Sequence, residues 1–459
     1  MVNKPDEIVQ IMNLILKDNK FPPNFNINTA GIDVLEPYFR GQISYTRSLK
    51  SQAKTIEMVK PGQLPEIFEI ENDSGKTIKI PCNLWISEMS DFQAKGYNKT
   101  TKKGKGLGKI GSEELQASIF VFPDGYYGMG LTVEERAALI KYRRDMKNLT
   151  KNELKNEQIH PVLVNISHER GANKYLKLTN DKERSYIGVS EEMKLYFKNN
   201  FKGDYMEGIK HLSCKIYEIM NIVLNRQEIS FIYSDYKASG VFCVAACFEL
   251  MGYTRFKDDE DLIFEDKYGE QRVKASYPKK DRFALFIPAV HRSKRQTILK
   301  LLNCRENRHG EYIKVFMASE VGRDGISLSN VKQIHLLNPS WNETAMYQAK
   351  SRGLRATSHE YLLEELEENQ KLVIEIYNHC AILKGKNGRD KSADYDRYKL
   401  AKGKDYSIKR ILRIMKICSN GCQLTRKRNM RKGVDYSAEC DYDKCIYDCY
   451  GPIFDPNTE

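Results

Sequence analysis

Two neighbouring stretches decide how this chain is read: ASEVGRDGISL, Ala318–Leu328, and PSWNETAMYQAKSRGLRATSH, Pro339–His359. The second carries Gln348, Arg352 and Arg355 at the spacing Q-x-x-x-R-x-x-R. Residues three and four apart share one helix face, so the three side chains are expected to point together. Guanidinium groups stay charged and grip phosphate oxygens in a planar fork. An arginine held against a γ-phosphate stabilises the charge that develops in phosphoryl transfer. The plainer alternative is an exposed polar helix face. The first stretch sets Gly322, Asp324 and Gly325 in one turn. Its glycines permit close backbone approach and its aspartate can accept a hydrogen bond, although an ordinary glycine-rich turn has the same composition.

Outward from these stretches, short apolar runs alternate with helical periods. Ile229–Tyr233, Phe283–Ile287, Ile313–Ala318, Ile334–Leu337 and Leu372–Tyr377 have strand character. Cys214–Leu224, Ala238–Leu250 and His291–Leu302 have helical period, with Gly252 suited to close the second of these helices. Ser340 and Glu343 are spaced as a capping box for the arginine helix. The alternation predicts an α/β fold, a parallel sheet covered by helices on both faces. Ligands of such sheets bind beyond the carboxyl ends of the strands. Ser319–Leu328 and the start of the arginine helix are expected on that edge. Ser234 and Ser319 at strand ends, and Arg292 with Lys294 after a strand, are candidate contacts to a nucleic-acid backbone, which is gripped through phosphates. Trp341 either stacks on a base or packs as a hydrophobic staple.

The flanks are less regular. Asp6–Leu16 predicts an amphipathic helix with Ile8, Met12 and Ile15 on one face. Ile67–Ile70 and Thr77–Ile80 bracket a turn and predict a hairpin. Lys95–Lys109, with six lysines and no acid, predicts a flexible basic loop, and Lys141–Asn173 a polar insertion. We divide the chain into a mixed region, 1–205, a central α/β domain, 206–380, and a basic helical extension, 381–459.

The 459 residues have room for roughly two to four domains. A net charge of +13, from 74 basic and 61 acidic residues, favours a polyanionic partner. The polar start, MVNKPDEIVQ, is not expected to act as a signal peptide, and no apolar run matches a membrane span. The 11 cysteines are expected to be reduced thiols in a cytosolic or nuclear compartment. Cys422, Cys440, Cys445 and Cys449 are the candidate metal ligands, for zinc. None of their gaps is the tight C-x-x-C, and free cysteine also packs as a small hydrophobe.

These motifs together resemble the second RecA-like domain of superfamily 2 helicases. The closest likeness is to the ATPase/helicase group of large DNA viruses typified by poxvirus nucleoside triphosphatase I and the small subunit of the early transcription factor. Phe231-Ile232-Tyr233-Ser234 with Gly240 resembles motif IV, Ala318–Leu328 motif V, and Gln348–Arg355 motif VI. Ser351 stands where many relatives have glycine. PYFRGQISY (Pro37–Tyr45), MSDFQAKGY (Met89–Tyr97), FVFPDGYYG (Phe120–Gly128) and Lys409–Asn429 are similar to other parts of the viral group.

The resemblance implies an ATP-driven motor on DNA or RNA. Arg352 and Arg355, with Gln348, would reach an ATP–Mg2+ held elsewhere. Gly322, Asp324 and Gly325 would lie beside the nucleotide. The expected location is the host cytoplasm, in a viral factory, or the virion. A phosphate-binding loop, G-x-x-x-x-G-K-[ST], is not matched. Gly75-Lys76-Thr77 has Ile70 where the first glycine belongs, and Gly104–Lys109 is one residue short. The opening MVNKPDEIVQIMNLIL resembles the segment after motif III. That implies a partner chain carrying the first RecA-like domain. The alternative is a non-catalytic nucleic-acid-binding or transcription-factor subunit that recruits viral RNA polymerase.

Overall fold

Apolar runs such as Ile229–Tyr233 are buried from end to end. The computed structural model describes residues 4–18, 20–46, 56–59, 66–71, 75, 77–101, 111–130, 135, 170–179, 185–267, 270–320, 326–354, 358–368, 370–385, 388–390, 392–430 and 433–450. Its main sheet contains β1 (Ile56–Val59), β2 (Trp85–Glu88), β3 (Ile229–Tyr233), β4 (Thr254–Arg255), β5 (Arg282–Phe286), β6 (Val315–Ala318), β7 (Val331–Leu336) and β8 (Leu372–Gly385). The order β1-β8-β7-β3-β6-β5-β4 is parallel throughout. β2 joins the second half of β8, also parallel. The predicted RecA-like class, a parallel sheet flanked by helices, is the fold observed.

Alternation along each strand serves both faces, which is why the strands have near-continuous apolar sequence. Phe231, Phe286, Phe316 and Leu336 pack with Ile298, Leu301, Met346 and Tyr398 from the helices Arg292–Asn303, Glu343–Ser351 and Ala393–Ile417. Ile232, Leu285 and Met317 pack with Ile216, Ile219, Phe242 and Ala245 from the helices Cys214–Leu224 and Phe242–Leu250 on the opposite face. A satellite core joins the helices Asp6–Ile15 and Ile32–Phe39 to Ile411, Ile414 and Cys418 near the end of the long helix.

Several expectations change. The last strand does not stop at Tyr377 but runs 14 residues to Gly385, because its second half finds a new partner in β2. The sheet therefore draws strands from all three sequence segments. Lys95–Thr101 is not loop but the end of the helix Asp91–Thr101; residues 102–110 lie outside the described set, as does most of the polar insertion. Ile15 is exposed and Leu16 takes its place against the core. The hairpin Glu66–Glu71/Thr77–Cys82 forms as expected, so a strand and not a helix follows Gly75. The arginine helix is capped by Asn342, whose Oδ1 accepts from the Ala345 N–H at 2.7 Å. Ser340 lies too far upstream to cap and turns to Asp235 instead.

The zinc expectation is overturned. Cys422 is bonded to Cys449 and Cys440 to Cys445. Sulfurs joined in pairs are not thiolate ligands, and four of the thiols expected to be reduced are thereby oxidised. Among the described residues, no three His, Cys, Asp or Glu side chains cluster as a metal site. No helix among them is long and apolar enough to cross a membrane.

Candidate functional site

The carboxyl ends of β3, β6 and β7 are laced together by one polar group. Asp235, just past β3, accepts hydrogen bonds from Tyr233 OH at 2.7 Å, Ser340 Oγ at 2.7 Å and Asn338 Nδ2 at 3.1 Å. Asn338 Oδ1 in turn accepts from Ser234 Oγ at 2.8 Å and the Asp235 N–H at 3.1 Å. The Ser234 N–H donates to the Ala318 carbonyl, tying in β6. This lacing fixes the backbone of the two loops that leave the edge.

It also changes what the candidate contact residues can do. Ser234 and Ser319 are only 1% and 2% exposed. The Ser234 hydroxyl also accepts from the Tyr236 N–H at 3.2 Å. It shapes the edge from inside instead of meeting a phosphate directly. Arg292 is exposed at the first position of its helix, which His291 caps through Nδ1. Lys294 is held by the Asp259 carboxylate and by the Lys257 carbonyl at 2.7 Å.

Trp341 sits where β7 gives way to the arginine helix. It is 55% exposed. The Arg397 guanidinium lies 3.6 Å from the ring centroid, and Lys404 Nζ lies 5.0 Å from it and donates to the Trp341 carbonyl at 3.1 Å. Burial pulls the Arg397 pKa below the ordinary guanidinium value, with Tyr236, Asp235, Asp394 and Glu114 opposing. Asp235, Asn338, Arg397 and Lys404 escaped the sequence reading. A polar residue right after an apolar strand is a usable signal for the first two. The two cations come from a helix tens of residues downstream, and nothing local marks them.

The arginine helix starts on this edge and runs away from it. Nine residues at about 1.5 Å each carry it roughly 13 Å. Its far end reaches the amino end of β7: a Cβ on Gly353 would lie 3.2 Å from Ile334 Cδ1 and 3.5 Å from Val331 Cβ. The Leu328 N–H donates to the Arg352 carbonyl at 3.0 Å, and Arg352 Nη1 points to the Ile326 carbonyl at 3.5 Å. Gln348 is exposed one turn before. The start of the arginine helix lies on the carboxyl edge as expected, but residues 326–328, expected on that edge as well, lie at the opposite end of the helix beside Arg352. Arg355, Gly322, Asp324 and Gly325 fall outside the described residues. His359 is buried, its Nε2 donating to the Gly353 carbonyl at 3.0 Å, and burial lowers its pKa to about 4. It holds the turn after the helix.

The chain is similar to proteins of large DNA viruses. It is 26% identical, over 99% of its length, to "Putative helicase 087L" of Invertebrate iridescent virus 3, and covers 38% of that protein. It is 23% identical, over 98% of its length, to "Putative ATP-dependent RNA helicase L377" of Acanthamoeba polyphaga mimivirus, covering 41% of it. A shorter stretch, 29% of this chain, is 30% identical to the "Termination factor NPH-I homolog" of African swine fever virus and covers 22% of it. The chain thus spans about two fifths of the length of the first two relatives. No protein-family model matches it.

Proposed function

We propose that this chain, a relative of the helicase group of large DNA viruses, is the segment of an ATP-dependent nucleic-acid motor that supplies arginines to the nucleotide and a carboxyl-edge surface to the strand. The observation that carries the reading is the spatial division along one helix. Its start lies on the carboxyl edge of the sheet, and Arg352 at its end lies beside residues 326–328, with Gln348 exposed one turn before. A motor needs its strand contacts and its nucleotide contacts on separate surfaces joined by a rigid element, and a short helix packed on the sheet is such an element.

Chemistry would be attack of water on the γ-phosphorus with ADP leaving. Arginine groups would stabilise the charge spread over the transferred phosphoryl oxygens. The described residues offer no carboxylate cluster for a magnesium ion, so no step is routed through a cation on this chain. The phosphates and their metal would be held by a polypeptide carrying a phosphate-binding loop and acidic pair.

The test is nucleic-acid-stimulated ATP hydrolysis by this chain mixed with such a polypeptide. Arg352→Ala and Arg355→Ala are expected to cut the stimulated rate by about 10³-fold or more, with nucleic-acid affinity retained. Full hydrolysis by both variants would remove the motor reading. The rival reading, a non-catalytic transcription subunit, draws support from the name of the African swine fever virus relative. It predicts nucleic-acid or polymerase binding with no hydrolysis in any mixture.

A further inference from the structure

We infer that Trp341 is a stacking platform for an unpaired base, so that the carboxyl edge takes single-stranded nucleic acid. This rests on the nucleic-acid reading above and adds the form of the strand. A large indole is left 55% exposed on this edge, and every base has a π-face that can stack on such a ring. Cations lie over the ring, with the carboxylates of Asp235, Asp394 and Glu114 acting on Arg397. Arg397 and Lys404 both lie over the ring, and Lys4 and Arg397 are close enough to Lys404 to depress its ammonium, after burial itself. Like charges gathered around an aromatic face suit a polyanion that also brings a flat ring.

The geometry fixes the platform. Arg397 is buried and stacked at 3.6 Å, and Lys404 ties the Trp341 carbonyl, so the indole is held before any ligand arrives. Pre-ordering removes part of the entropy cost of binding. Only a base with a free face can complete the stack. In a duplex both faces are already covered by neighbours, so the platform selects an unpaired or displaced strand. Stacking of this kind tolerates any base, because each has a π-face. That tolerance suits a protein that moves along sequence.

The chain has two tryptophans, Trp85 and Trp341. Trp85 donates from Nε1 to Glu218 at 3.2 Å and stacks edge-on against Tyr377. A Trp85→Phe background therefore isolates the Trp341 fluorescence. Titration of the full chain with oligothymidine is expected to quench that emission, whereas an abasic oligonucleotide of equal length binds without comparable quenching. Trp341→Leu, which keeps apolar packing, is expected to weaken oligothymidine binding by about 5- to 100-fold and to leave abasic binding unchanged. Trp341→Phe should stay within a few-fold of the parent and shows that the site still folds. Equal loss on both oligonucleotides, or no loss on either while Arg292→Ala and added salt still weaken binding, overturns the platform but keeps the nucleic-acid surface. No binding of either oligonucleotide by the parent chain overturns both.

Discussion

Gly240 has no room for a methyl group. A Cβ there would lie 2.2 Å from Ser234 Oγ and 2.7 Å from Ser234 Cβ. The backbone needs that closeness because residues 237–241 form a π-helical turn that brings the next helix tight against the end of β3. Ser234 cannot yield without leaving Asn338, and Asn338 is the group that joins β3 to β7. Gly240→Ala is expected to lower stability by about 1–3 kcal/mol, the usual penalty of overpacking, read from the urea midpoint. Ser234→Gly added to it removes both clashing atoms and should recover much of the loss. Strictly additive destabilisation by the pair would show that the clash is not the cause. The same closeness gives a physical meaning to the Ser…Gly pattern that resembles motif IV.

Between elements, the β7–β8 pair carries an unusual load. His335 and His379 are fully buried neighbours, with His335 Nδ1 and His379 Nε2 3.0 Å apart, and Tyr377 stacks on His335 at 4.6 Å. A contact of that kind needs one proton between the two nitrogens, and burial favours the neutral form of both rings. Burial first, then Arg226, lowers the His335 pKa to about 3. Burial, His335 and Lys215 hold His379 well below the ordinary value. Histidines whose folded pKa is depressed are neutral in the fold but take protons once unfolded at pH below about 6.5. Stability is therefore full above about pH 6.5 and falls as pH drops toward 4, by roughly 1.4 kcal/mol per pH unit for each such histidine. Urea unfolding between pH 7 and pH 4.5 is the measurement. His335→Gln should flatten the slope, and a midpoint unchanged over that range would refute the account.

Across the whole molecule, one buried ion pair joins parts far apart in sequence. Lys215 Nζ and Asp394 Oδ2 meet at 2.7 Å, with both side chains fully buried. Asp394 also accepts from Ser118 Oγ at 2.8 Å and the Ala381 N–H at 3.0 Å. The mixed region, the central sheet and the long terminal helix are thus locked at one point, and that helix is the one that delivers Arg397 and Lys404 to Trp341. Breaking one side of such a pair leaves a charge without compensation. Asp394→Ala is expected to cost about 3–5 kcal/mol and to weaken oligonucleotide binding indirectly. The double change Lys215→Met with Asp394→Leu removes both charges and should be much milder. An Asp394→Ala protein as stable as the parent would show that the lock contributes little.

Strand runs, helical periods and the Q-x-x-x-R-x-x-R spacing were legible without coordinates, because burial on both sheet faces writes itself into local apolar patterns. β3, β5, β6 and the helices between them fell within a few residues of their predicted bounds, as did the parallel α/β class. What neighbours in sequence cannot encode is which distant groups meet. The pairing of β2 with the far half of β8, the turn of Ser340 to Asp235 in place of a cap, the joining of Cys422 to Cys449, and the arrival of Arg397 on Trp341 each depend on contacts between segments tens to hundreds of residues apart. Such contacts are chosen by the packing of the complete core, where a side chain's role follows from the partner that burial brings to it.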